Sequence, residues 1–69
     1  MGKAKRILDM YDRLYEGKVL VKADEASQFH VSIRTIQRDL DDIRVYMSKD
    51  KNMNVIYDKK EKGFRIQVI

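Results

Sequence analysis

Between Ile33 and Met47 the apolar side chains Ile33, Ile36, Leu40, Ile43 and Met47 recur at helical spacing, and no proline interrupts them. The pattern predicts one amphipathic helix of ~15 residues, ~22 Å long, with a continuous aliphatic stripe. In a chain of 69 residues such a helix must be the spine on which everything else packs. Its opposite face is sorted along the axis. It opens with Arg34, Thr35, Gln37 and Arg38 and turns acidic at Asp39, Asp41 and Asp42. A merely solvated face has no reason to put its cations and donors at one end and its carboxylates at the other. A helix that meets a polyanion end-on does.

Size limits what else the chain can hold. A single domain, residues 1–69, is expected, burying roughly 60% of its unfolded surface around a small core. There is no cysteine and His30 is the only histidine, so neither a disulfide nor a metal site is expected. No nucleophile–base pair, glycine-rich phosphate loop or cofactor motif stands out. The expectation is a protein that is not an enzyme and uses no cofactor. No run approaches the ~20 apolar residues that span a bilayer, and the opening "MGKAKRIL" lacks the apolar core of a signal peptide. A cytoplasmic location without membrane contact is therefore expected. Fifteen Lys and Arg against eleven Asp and Glu leave a charge of +4. More telling is the segregation: carboxylates cluster at 39–42 and cations at Lys59–Arg65, the footprint of a nucleic-acid face.

The remaining elements follow in order. Ile7, Leu8, Tyr11, Leu14 and Tyr15 form a stripe on a helix over residues 3–16, with Lys5, Arg6, Asp9, Asp12 and Arg13 around the rest. Gly17 stops it. Val19–Val21 is too short for a helix and reads as a short strand. A second helix runs from about Ala23 to Phe29, with Asp24 and Glu25 in its first turn, where the dipole favours anions. Ala26 and Phe29 face inward, while Glu25 takes a slot where a three-helix core wants leucine. Val31 plugs the core and Ser32 caps the long helix. After the polar connector "SKDKNMN", the alternating "NVIYD" and "GFRIQVI" form two strands joined by Lys59–Lys62. Val55 and Tyr57, and likewise Phe64, Ile66 and Val68, share a face, with Tyr57 and Phe64 packing onto the helices. The fold class is α+β, mainly α. The order of helix, short strand, two helices and a C-terminal hairpin is that of a winged helix-turn-helix.

"FHVSIRTIQRDLDDIRVYM" resembles the helix-turn-helix of the DeoR-like and WYL-domain bacterial transcription regulators, whose pattern reads roughly F-G-V-S-x-R-T-I-Q-R-D-I-x-x-L-R-x-x-L. Phe29, Val31, Ser32, Arg34, Thr35, Ile36, Gln37, Arg38, Asp39 and Arg44 match it in place. "EGKVLVKADEAS" is similar to the preceding strand and second helix, and "IYDKKEKGFRI" to the wing. The resemblance covers essentially the whole chain. Two departures stand out. Members usually carry glycine where His30 stands, so His30 is expected to take a positive φ at modest strain. Members also usually continue into a ligand-sensing domain, whereas this sequence reaches only the wing. That implies either an excised DNA-binding domain or a small standalone regulator.

The expected activity is sequence-specific binding of double-stranded DNA in transcription regulation. Arg34, Thr35, Gln37 and Arg38 lie on the first two turns of the long helix, roughly opposite the stripe or bordering that face. They are the side chains that read base edges in a major groove ~12 Å wide: Arg on guanine, Gln on adenine, Thr on the thymine methyl. Backbone contacts are expected from Lys22, which precedes the second helix and its free N–H groups, from Ser32, and from Lys59, Lys60 and Lys62 at the wing tip. The local alternatives are surface ion pairs, Arg38 with Asp42 and Arg44 with Asp41. Asp39, beside the stripe, is expected to pair with a basic residue of another helix. A homodimer fits a regulator, but no coiled-coil seam stands out, so contacts outside this chain are expected to supply it. The competing function is a winged-helix module for protein or RNA contact. Ile69, Val45 and Met53 are its only loose apolar candidates.

Overall fold

A computed structural model describes residues 2–68. Helix α1 spans Lys3–Tyr15, α2 spans Lys22–Phe29 and α3 spans Ile33–Asp50. Strands β1, Met53–Asp58, and β2, Gly63–Val68, pair as one antiparallel hairpin in which Val55 faces Ile66 and Tyr57 faces Phe64. The class is α+β and mainly α. Ile69, expected at the end of the second strand and as an exposed apolar candidate, lies outside the described residues.

The stripe on α3 builds the core. Ile36, Leu40, Ile43 and Met47 are buried, joined by Met10 and Leu14 of α1, Leu20, Ala26 and Phe29 around α2, and Val55 of β1. Each large aliphatic taken from water contributes about 1.5–3 kcal/mol. Ile33 departs from the stripe and is 51% exposed. It stands at the first position of α3, beyond the core that half-buried Val31 closes. α3 also runs one turn past Met47, taking up Ser48–Asp50.

α1 is turned roughly a quarter revolution from the expected stripe. Arg6, Met10 and Leu14 are buried, while Leu8 is 62% and Tyr15 51% exposed. The cause is electrostatic. Asp39 on α3 is buried, and Arg6 turns inward to meet it, Nε donating to Oδ2 at 2.5 Å and Nη2 to Oδ1 at 3.3 Å. The guanidinium pKa is raised above its ordinary value by this hydrogen bond, against the opposing pull of desolvation. Asp39 thus has the basic partner on another helix that its position beside the stripe demands. Glu25 is explained in the same way. It is buried, and Arg13 of α1 grips both its oxygens through Nη1 and Nη2 while donating from Nε to Asp9 at 2.9 Å. Two arginines therefore clamp α1 to α2 and α3.

The link between α2 and α3 is tight. His30 ends α2 with φ 56° and ψ 44°, the left-handed cap that a glycine adopts freely. Val31 N–H donates to Ala26 O at 3.1 Å and His30 N–H to Ser27 O at 3.4 Å, the pair of bonds of a Schellman cap. Ser32 then caps α3, its Oγ accepting from Thr35 N–H at 3.1 Å.

The short strand expected at Val19–Val21 shrinks to one bridge. Leu20 and Phe64 exchange backbone bonds of 2.8 and 2.7 Å. Val21 is instead the N-cap of α2, which starts at Lys22, one residue earlier than expected. Gly63 makes this docking possible by having no side chain. A Cβ there would stand 2.5 Å from Val19 Cγ1 and 2.8 Å from Leu20 O. On the hairpin Phe64 packs against the core. Tyr57, expected to pack onto the helices, is exposed and lies edge-on to Phe64 with centroids 5.2 Å apart. Val68 is likewise exposed.

Candidate nucleic-acid interface

α3 begins immediately after the cap at Ser32, and its first two turns bury Ile36 and Asp39 on one side while the opposite side faces solvent. Arg34 and Arg38 are exposed there. Every other arginine is committed: Arg6 to Asp39, Arg13 to Glu25 and Asp9, Arg44 to Asp41 at 2.9 Å, and Arg65 to Asp58 at 2.7 Å. Arg34 and Arg38 have no carboxylate within salt-bridge distance among the described residues. Of the two local ion pairs considered on α3, Arg44–Asp41 forms and Arg38–Asp42 does not; Asp42 lies nearer Lys3, at 3.9 Å.

The neighbouring polar side chains are ordered by one another. Thr35 is half-buried and its hydroxyl stands 3.0 Å from that of Ser32. Gln37, also half-buried, is held at both ends of its amide. Lys22 Nζ donates to Oε1 at 2.8 Å, and Nε2 donates to Asp41 Oδ1 at 3.0 Å. Asp41 in turn accepts from Arg44. Asp41, midway along α3, is thus an anchor for Gln37. One lone pair and one N–H of the amide remain in a set orientation. Lys22 does not extend freely into solvent. Its ammonium reaches back to Gln37 and lies 5.7 Å from the centroid of the Phe64 ring, a cation–π distance. Lys22 therefore ties α2, α3 and β2 at one point.

Lys59, Lys60 and Lys62 are exposed on the turn of the hairpin. Asp58 builds that turn. Its Oδ1 accepts from the N–H groups of Lys60 at 2.9 Å and Glu61 at 3.1 Å, and its Oδ2 accepts from Arg65 Nε. Those bonds, Arg65 foremost and then Glu61, hold the carboxyl below its ordinary pKa. Lys62 takes φ 59° just before Gly63. Because Gly63 rests on Val19 and Leu20, the lysine turn is anchored beside the segment that leads into α2. Arg65 looked like one more cation of the 59–65 cluster, and its structural duty escaped the sequence reading. The available signal was Asp58 at the start of a four-residue turn, with Arg65 two residues past its cross-strand partner Gly63 and so on the same face.

Ser32, Arg34, Thr35, Gln37 and Arg38 thus gather on one end of α3, with Lys22 joined to them through Gln37. The three hairpin lysines form a second basic cluster. No family model matches the chain, and neither a curated protein nor a solved structure matches it. No helix among the described residues is long and apolar enough to cross a membrane.

Proposed function

We propose that this chain is a winged helix-turn-helix module that binds double-stranded DNA in a sequence-specific way, as the DNA-binding part of a transcription regulator. The supporting observation is the fate of the arginines: the protein pairs Arg6, Arg13, Arg44 and Arg65 and leaves Arg34 and Arg38 exposed and unpaired at the leading end of one helix. A forked cation without a partner, projecting from a rigid helix, is suited to the two acceptors of a guanine edge. In this reading α3 enters the major groove by its N-terminal turns. Arg34 and Arg38 read bases, and Thr35 offers its methyl to thymine. Gln37 reads adenine through the lone pair and N–H left by Lys22 and Asp41.

Ser32 and Lys22 then sit beside the strand backbone, with Lys22 also fixing Gln37. Lys59, Lys60 and Lys62 of the wing follow the flanking phosphates. Asp41 and Asp42 lie further along α3, where the helix leaves the groove and their charge meets no phosphate. The test starts from a duplex selected out of random sequence. Arg34→Ala or Arg38→Ala is expected to cost about 1–3 kcal/mol on that duplex and to flatten the preference over random DNA. Lys60→Ala should weaken selected and random duplexes alike and reduce the slope of log affinity against log salt by about 1. If all three variants act identically on both duplexes, base reading by α3 is wrong.

A further inference from the structure

α1 carries a second apolar stripe of which its own core uses only the inner edge, at Tyr11. Ala4, Leu8, Tyr11 and Tyr15 recur at alternating four- and three-residue steps, the spacing of a helix–helix seam. Ala4, Leu8 and Tyr15 are exposed. Tyr11 is half-buried, its ring centroid 5.9 Å from that of Tyr15 and 5.7 Å from that of Tyr46 on α3. Between the helices, Ile7, Leu8, Tyr11, Ile43 and Tyr46 line an open groove of about 300 Å³ with Asp42 at its edge. The groove lies around α3 from Arg34 and Arg38, so nothing in the proposed DNA contact covers it.

The charges beside this stripe indicate what does. Lys5 and Asp12 flank it on the same side, two turns apart. Neither has a salt-bridge partner among the described residues. Lys3 near the start of α1 already reaches Asp42, and Glu16 just past its end reaches Lys18, so the unpaired charges beside the stripe are Lys5 toward the start and Asp12 toward the end. A helix of this charge order is complementary to itself when reversed. Laid antiparallel, two copies bring Lys5 of each opposite Asp12 of the other, and a two-fold axis makes both pairs at once. Leu8 of each then meets Tyr11 of the other, and the helix dipoles oppose. A parallel arrangement would crowd the two basic ends together. We propose that this stripe is the seam of a symmetric dimer in which α1 packs antiparallel on α1 of a second copy, with Tyr46 closing one side.

The dimer does not depend on the DNA reading, and its test contains no DNA. Sedimentation equilibrium of the chain from about 10 μM to about 1 mM should show the mass rising from 8.2 kDa toward twice that value. Leu8→Glu should hold it at 8.2 kDa. Ala4→Glu, at another exposed position, should do the same and carries the test if Leu8→Glu disturbs folding. Lys5→Glu should weaken the dimer about three- to tenfold, since symmetry counts each surface pair twice. The double exchange Lys5→Glu with Asp12→Lys should restore it. A wild-type mass of 8.2 kDa throughout the range overturns the proposal. So does a dimer indifferent to both glutamates, or one that the double exchange fails to restore.

Discussion

His30 and Asp58 show how single side chains set the geometry that the candidate interface needs. The positive φ at His30 aims α3 away from α2. An L-residue in this conformation costs roughly 1–2 kcal/mol that glycine avoids, offset in part by the extra freedom glycine has when unfolded. His30→Gly should therefore raise stability by about 1 kcal/mol in urea titration, without moving any side chain of α3. Asp58 works at the other basic cluster. Its folded-state pKa is depressed by Arg65 and by two turn N–H groups, so its contribution is present above the unfolded carboxylate value near 3.8. It is lost as pH falls through the lower folded value. Amide spectra recorded stepwise from pH 6 into acid should show the 58–62 turn still ordered as pH passes the ordinary carboxylate value and loosening only below it. Asp58→Asn should look loosened throughout the series, with little change along it. A turn equally ordered in wild type and variant would refute this role.

At the scale of elements, the helices are held by charge as much as by apolar surface. Arg6 is 7% and Asp39 1% exposed, and removing either partner leaves the other charged and buried. Arg6→Ala or Asp39→Ala should each cost about 3–5 kcal/mol. That is a large part of the stability of so small a domain, and a thermal melt followed by circular dichroism reads it directly. If the melting temperature of Arg6→Ala matches wild type, the clamp is idle. The same pair marks what could be read from the sequence and what could not. The α3 stripe from Ile36 to Met47, the Ser32 cap and the hairpin with its turn at Lys59–Lys62 follow from local rules of spacing and turn chemistry, whereas the left-handed His30 was expected only from the glycine that the resemblance puts there. The inward face of α1 did not, because hydrophobic periodicity counts Arg6 as surface. Only the distant Asp39 makes it core and leaves Leu8 outside. Gln37 was legible as a polar residue on the leading turns, but its tether to Lys22 joins residues far apart in the chain. The reduction of Val19–Val21 to one bridge is likewise decided by where Phe64 docks.

For the whole molecule, the described residues form a body 32 × 27 × 19 Å across, measured on Cα atoms, with distinct faces. One end of α3 shows unpaired arginines, the hairpin turn shows lysines, and the side formed by α1 and the second half of α3 shows tyrosine and leucine. In the proposed account the first two meet DNA and the third meets another copy. DNA affinity should fall steeply with salt, by about 0.9 in log–log slope for every phosphate neutralised. The most direct measurement is a titration of isotopically labelled protein with a short duplex at low salt, followed by amide and arginine side-chain NMR shifts. Non-specific and specific complexes use the same basic surface, so any mixed-sequence duplex serves. The account predicts the largest shifts at residues 32–38 and 59–62, including the Arg34 and Arg38 side chains, with Leu8, Tyr15 and Tyr46 unmoved by the DNA itself. Shifts concentrated on α1 and Tyr46, with Arg34 and Arg38 silent, would contradict it.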